Sequence, residues 1–121
     1  MDPLVRKVVR IGIPHGGCYA MGPGKADLLE AIQEAGSISA AGRKLGMSYR
    51  RAWLLVDEMN RCFTGPLVEA RLGGSGGGGA TVTALGREAL RRYRALQGLA
   101  WEAVRQSVQE FDQLLSPGPK P

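Results

Sequence analysis

The sequence predicts a mainly α-helical fold with one small β-hairpin. Three observations support this prediction: apolar residues recur at helical spacing, capping residues and glycines bracket those segments, and the strand-like LVEAR and ATVT flank the glycine run GGSGGGG. A chain of 121 residues is about one domain with one small core.

The N-terminal part of the chain predicts a strand, a loop and then a helix. Residues 4–13 are rich in valine and isoleucine, which favours a strand. We expect PHGGCYAMGPG to be a loop, because two prolines and four glycines disfavour both a ladder and a helix. Leu28, Leu29 and Ile32 then indicate a first helix from Lys25 to Ala35, which ends at Gly36.

Two further helices are predicted close together. Ser37 or Ser39 can cap a second helix over about residues 39–45, which Gly46 ends. Ser48 can cap a third helix that runs to about Arg61. The buried stripe of this third helix is Ala52, Val56 and Met59, which leaves four residues facing outward: Tyr49, Arg50, Arg51 and Trp53.

The C-terminal part predicts a hairpin and a long helix. LVEAR and ATVT are two strands around the loop Gly73 to Gly79, and Thr83 can cap the last helix. At about 1.5 Å per residue that helix reaches roughly 45 Å, which is longer than the core of a small domain requires. We therefore expect a homodimer in which this helix packs on a second subunit through Tyr93, Trp101, Val104, Val108, Phe111 and Leu115.

Two helices joined by a tight turn and followed by a hairpin predict a winged helix-turn-helix with a long C-terminal dimerisation helix. We expect three parts: residues 1–83 form the winged helix-turn-helix DNA-binding domain with its N-terminal strand, residues 84–115 the dimerisation helix, and residues 116–121 a disordered tail.

Charge favours a nucleic-acid partner. The formal net charge is +5, and segment 37–51 carries Arg43, Lys44, Arg50 and Arg51 with no acidic residue. Such a segment is attracted to a polyanion, although a solvated basic face is the plainer interpretation of a charge run taken alone.

The third helix predicts how double-stranded DNA would be bound. Arg50 and Arg51 lie in its first turns, where a guanidinium fork can donate two hydrogen bonds to guanine. Tyr49 can contact a thymine methyl or a phosphate, and Trp53 either adds apolar contact surface or docks on a neighbouring element. Serines, lysine and the hairpin would contact the backbone. The full set predicted to contact DNA is Ser37, Ser39, Lys44, Ser48, Tyr49, Arg50, Arg51, Trp53, Arg71, Gly76 and Gly77.

Other chemistries are poorly supported. Gly74, Gly76 and Gly79 match a dinucleotide fingerprint but precede a strand rather than a helix, and Lys25 lacks the Ser or Thr of a phosphate loop. Cys18 and Cys62 fit neither a disulfide framework nor a metal spacing, and we expect free thiols. We therefore predict no enzyme, no cofactor and no metal.

The sequence also contains no apolar run long enough for a membrane span and no long apolar signal core. We therefore expect a cytoplasmic protein with no membrane partner.

Three segments resemble a known family: GPGKADLLEAI, GSISAAGRKLGMSYRRAWLLVDEMN and GGSGGGGATVTALG. They are similar to the N-terminal DNA-binding domain of molybdate-responsive, ModE-type transcription regulators, which is in turn similar to the winged helix-turn-helix of LysR-type regulators. The resemblance implies a winged-helix dimer that binds a roughly palindromic operator. Full-length members carry oxyanion-binding modules after the long helix; we expect this sequence, which ends at Pro121, to lack them.

Two alternatives stay open. Beside the DNA-binding regulator, the first is a sensor that binds molybdate or another oxyanion without acting on DNA, and the second is a winged-helix module used only for protein contact. Whether a small-molecule effector acts on it is also left open.

Overall fold

A computed structural model describes residues 2–71 and 78–118 of the chain. Helices dominate, and they are joined by two small antiparallel hairpins. In chain order the elements are α1 (Pro3–Val8), β1 (Ile13–His15), β2 (Cys18–Met21), α2 (Pro23–Ala35), α3 (Ile38–Lys44), α4 (Tyr49–Cys62), β3 (Val68–Arg71), β4 (Gly79–Val82) and α5 (Ala84–Glu110), followed by a 3-10 turn (Phe111–Gln113). The prediction of a mainly α-helical fold with a small hairpin is confirmed.

The prediction of a strand over residues 4–13 is wrong, because Pro3–Val8 form the helix α1. Asp2 accepts a hydrogen bond from the Leu4 backbone N–H at 2.9 Å and caps the short helix α1. The valines that suggested a strand are also spaced for one face of a helix, since Val5 and Val9 both pack against Trp101 of α5. Tertiary packing therefore overrides the β propensity of this segment.

The segment predicted as a loop contains the β1–β2 hairpin. Pro14 pairs with Tyr19 and His15 with Cys18, and Gly16 takes a left-handed φ of 63° at the turn between them. A two-residue turn of this kind needs a residue that tolerates positive φ, which glycine provides.

The main core lies between α2, α3, α4, the β3–β4 hairpin and the first half of α5. The predicted buried stripe of the third helix is confirmed, because Ala52, Val56 and Met59 are all buried. The largest fully buried side chains are Leu28, Leu29, Ile32, Met59, Leu67 and Gln97.

Two side chains predicted at a dimer interface are instead buried within the chain. The Tyr93 hydroxyl donates to the Ile11 carbonyl at 2.6 Å, and burial raises the pKa of Tyr93. Trp101 is 6% exposed and packs on α1. The N-terminal segment thus covers the part of α5 that the sequence had suggested for a partner subunit.

The other four residues predicted at the dimer interface differ in how far they are buried within the chain. Val108 is partly buried against the Trp101 cluster. Val104, Phe111 and Leu115 are exposed by 38%, 59% and 61% respectively. These three apolar side chains near the end of α5 are left exposed by the described part of the chain.

Candidate nucleic-acid interface

The junction of α3 and α4 is tight and closely packed. Gly46 takes a left-handed φ of 71°, and the Met47 N–H donates to the Gly42 carbonyl at 2.8 Å. A Cβ at Gly42 would lie 3.1 Å from Ala52 Cβ, so glycine lets the two helices approach at this point. The turn therefore fixes where α4 begins relative to α3.

Two serines predicted to contact DNA cap the helices of this unit. Ser37 Oγ accepts from the Ala40 N–H at 3.0 Å, and Ser48 Oγ accepts from the Arg51 N–H at 3.1 Å. Each cap satisfies a backbone donor that the first turn of a helix leaves free. Ser48 thus fixes the start of α4 directly before Tyr49, Arg50 and Arg51.

An open groove of about 360 Å³ lies between the starts of α3 and α4 and the β3–β4 hairpin. It brings together residues from four separate segments of the sequence. Its lining consists of Ser37, Ile38, Ser39, Tyr49, Trp53, Ala70, Arg71, Gly78 and Gly79. Five of the residues predicted to contact DNA therefore meet in one groove: Ser37, Ser39, Tyr49, Trp53 and Arg71.

The outer face of α4 borders this groove. Tyr49 is 62% exposed and Trp53 is 37% exposed, with their ring centroids 6.1 Å apart in an edge-to-face arrangement. Edge-to-face contact is a favourable geometry for two aromatic rings. The two rings contact each other and both remain exposed, so they provide apolar surface beside the groove.

The two neighbouring arginines lie on different sides of α4. Arg50 is exposed and borders a shallow depression with Tyr49, Trp53, Leu54 and Asp57. Arg51 is also exposed, but it lines another depression with Arg10 and the segment 22–25. Only Arg50 therefore shares the aromatic face of α4.

Charge on this surface is mainly positive. Arg50 and Arg71 are exposed, and Asp57 is held by Arg61 at 3.2 Å, one turn further along α4. An exposed ion pair of this kind contributes little to stability, but it reduces the acidic charge near Arg50. The surface is suited to a polyanion.

Six predicted contacts lie outside the lining of the groove or outside the described residues. Ser48, Arg50 and Arg51 are exposed at the start of α4 but do not line the groove. Lys44 is not among the residues that line the groove; it pairs with Glu34 of α2. Gly76 and Gly77 fall in segment 72–77, which lies outside the described residues.

Asn60 positions the hairpin, and the sequence analysis did not identify it. Its Oδ1 accepts from the Leu67 and Val68 N–H groups at 2.9 and 3.2 Å, and its Nδ2 donates to the Val68 carbonyl at 3.0 Å. One side chain of α4 thus fixes the start of β3. No periodicity marks such a residue, because its role depends on a segment eight positions away.

The second strand of the hairpin is also fixed to the helices. The Ala80 N–H donates to the Gly36 carbonyl at 2.8 Å, at the end of α2. Thr83 Oγ1 donates to the Pro66 carbonyl at 2.7 Å and caps α5 by accepting from the Gly86 N–H at 3.0 Å. The groove therefore has walls that are held on both sides by hydrogen bonds.

Within residues 2–71 and 78–118, no group of three or more His, Cys, Asp or Glu side chains is arranged to hold a metal ion. In the same residues, no helix is both long and apolar enough to cross a membrane.

Comparison with known proteins identifies the class to which the sequence is related. No protein-family model matches the chain. Among individual proteins, the relatives are named as transcription regulators or as molybdenum-binding or molybdenum-transport proteins. The chain is 38% identical over 81 residues to the DNA-binding transcriptional dual regulator ModE of Escherichia coli K12, which is 67% of this chain and 31% of that protein.

Two further relatives carry names that refer to molybdenum. The chain is 41% identical over 92 residues to the molybdenum transport protein ModE of Azotobacter vinelandii, covering 76% of this chain and 34% of that protein. It is 36% identical over 97 residues to the molybdenum-pterin-binding protein MopA of Rhodobacter capsulatus, covering 80% and 37%.

The predicted resemblance is confirmed: the chain is related to the N-terminal region of ModE-type proteins. It spans about a third of the length of these relatives.

Proposed function

We propose that this chain is a sequence-specific, DNA-binding transcription regulator that uses a winged helix-turn-helix. In this proposal α3 and α4 are the helix-turn-helix, α4 enters the major groove, and the β3–β4 hairpin is the wing. The observation that carries the proposal is the exposed Arg50 at the capped start of α4, beside a groove that gathers Ser37, Ser39, Tyr49, Trp53 and Arg71.

The side chains support a division between base contacts and backbone contacts. Arg50 can donate two hydrogen bonds to guanine O6 and N7, and Tyr49 and Trp53 offer apolar surface for a thymine methyl. Ser39 and Arg71, from the other walls of the groove, are placed for phosphate. Arg51 faces the same side as Arg10 and is suited to the neighbouring phosphates.

The proposed regulator is a homodimer that binds two half-sites. The support is the apolar surface near the end of α5, where Val104, Phe111 and Leu115 are exposed. A two-fold dimer of this class binds half-sites whose centres lie about one helical turn of DNA apart, or a multiple of that distance. The names of the relatives link the regulation to molybdenum.

Selection from a random DNA pool tests the proposed function. We expect the purified chain to enrich a two-fold symmetric sequence, with affinity that falls as salt rises because lysine and arginine release counterions from DNA. Selection at two salt concentrations separates base preference from charge attraction. A pool that stays random at both concentrations would contradict sequence-specific binding.

Binding of molybdate or another oxyanion is the second candidate function, and the name of MopA favours it. Calorimetric titration of the chain with sodium molybdate, with sulfate as the matched control, tests this alternative. Heat and a raised melting temperature with molybdate alone would support it, because a ligand that binds only the folded state stabilises that state. Absence of both effects would reject it for this chain.

A further inference from the structure

Cys18 and Cys62, the only two cysteines of the chain, lie side by side in the fold although 44 positions separate them in sequence. Cys18 is the first residue of β2 and Cys62 is the last residue of α4. Their sulfur atoms are 3.2 Å apart, and both side chains are half-buried as free thiols. The fold thus brings together two groups that showed no relation in the sequence.

We propose that Cys18 and Cys62 form a reversible intrachain disulfide that ties the β1–β2 hairpin to the end of α4. A disulfide bond is about 2.0 Å long, so the sulfur atoms need to approach by only about 1 Å. Their partial exposure leaves them open to a small oxidant.

The surroundings of the pair favour a disulfide over a metal site. Among the described residues, no third ligand joins the two thiols to form a metal-binding cluster. Cys18 Sγ also lies 3.6 Å from the His15 carbonyl, within the β1–β2 turn. Lys25 and Glu58 pair beside the cysteines, and their charges act on Cys18 in opposite senses.

The geometry allows either thiol to react first. Either sulfur can donate the hydrogen bond between them, and that bond together with burial raises the pKa of Cys18. The thiol that loses its proton first is the nucleophile that attacks the oxidant, and the other thiol completes the bond.

The reaction balances with a small disulfide such as oxidised glutathione as the oxidant. The thiolate of one cysteine attacks one glutathione sulfur, forming a mixed disulfide and releasing one glutathione thiolate. The other cysteine loses its proton and attacks the protein sulfur of that mixed disulfide, which releases the second glutathione as a thiolate. The two protein thiols lose two electrons and two protons in total, and oxidised glutathione is reduced to two thiols.

The bond would close a chain segment that contains β2, α2, α3 and the whole of α4. Closing a loop of this length restricts the unfolded chain more than the folded one. We therefore expect oxidation to raise the melting temperature by about 5 to 15 °C, since the native side chains are already in contact.

Oxidation of the full chain with oxidised glutathione tests the proposal. We expect a product without disulfides between chains, in which each chain is lighter by two hydrogens, has no free thiol, yields a linked Cys18–Cys62 peptide and melts at a higher temperature. Reduction with dithiothreitol should reverse all four changes.

Two variants act as matched controls. Cys18→Ser should stop the reaction at a glutathione adduct on Cys62, and Cys62→Ser should stop it at an adduct on Cys18. Stable glutathione adducts or disulfide-linked dimers as the main product of the natural chain would overturn the proposal. So would an intrachain product with an unchanged or lower melting temperature.

Discussion

At the residue scale, the fold depends on single polar side chains that satisfy backbone groups. Ser48 and Thr83 cap their helices as predicted. These caps could be predicted because a capping residue directly precedes the first turn of its helix, which is a local pattern. The sequence did not predict Asn60, because the three groups that Asn60 satisfies belong to another segment. Local chemistry is visible in a sequence, whereas long-range partners are not.

We expect Asn60→Ala to lower the free energy of unfolding by about 2 to 3 kcal/mol, because it leaves backbone groups at the start of β3 without partners. Urea unfolding measures this change. Asn60→Asp is the matched control: it keeps the acceptor for two N–H groups and loses only the donor, so its loss should be smaller. An equal or smaller loss for the alanine variant would contradict the assigned role.

At the scale of elements, α2 to α5 and the β3–β4 hairpin were predictable, while α1 and the β1–β2 hairpin were not. The predictable elements carry apolar periodicity and caps of their own. In contrast, α1 has a cap but only six residues, and it is held by contacts with two other helices. Trp101 of α5 packs on it, and the Arg6 fork donates to Glu30 of α2 at 3.0 and 3.1 Å. Short segments held by tertiary contact give weak sequence signals.

Two glycines of α5 give a prediction about helix packing. A Cβ at Gly86 would lie 2.3 Å from the Leu67 carbonyl oxygen, whereas nothing lies within 4 Å of one at Gly98. We expect Gly86→Ala to lower the free energy of unfolding by about 2 kcal/mol or more, because α5 must move away from the hairpin. Gly98→Ala should raise it by about 0.5 to 1 kcal/mol, since alanine is the better helix former. Thermal unfolding of the two variants compares them directly, and similar effects would refute the close contact at Gly86.

At the scale of the whole molecule, the structure narrows the predicted dimer surface. Tyr93 and Trp101 are buried by contacts within the chain. Only the C-terminal residues of the predicted dimer surface therefore remain exposed to a second subunit. The sequence pattern could not separate the two parts, because apolar spacing along a long helix is the same whether α1 or a second subunit covers it.

We expect the chain to sediment as a dimer of about 26 kDa, twice the 12.9 kDa of one chain. Replacing both Val104 and Phe111 by Lys should yield folded monomers, since both side chains are exposed within one chain. Lysines at Gln106 and Gln109, which are exposed on the other side of α5, add the same charge and should leave the dimer intact. A monomeric natural chain, or equal dissociation of both variants, would contradict this dimer surface.

The most direct test of the proposed regulator compares Arg50→Ala with Arg61→Ala by fluorescence anisotropy, on the selected DNA site and on random duplex. Both substitutions remove one arginine from α4, but Arg61 lies in its last turn and pairs with Asp57. We expect Arg50→Ala to weaken binding to the selected site by about 1 to 3 kcal/mol, with little loss on random duplex, and Arg61→Ala to change neither much. Equal losses for Arg50→Ala on the two duplexes, or no loss on either, would contradict a base-contacting Arg50.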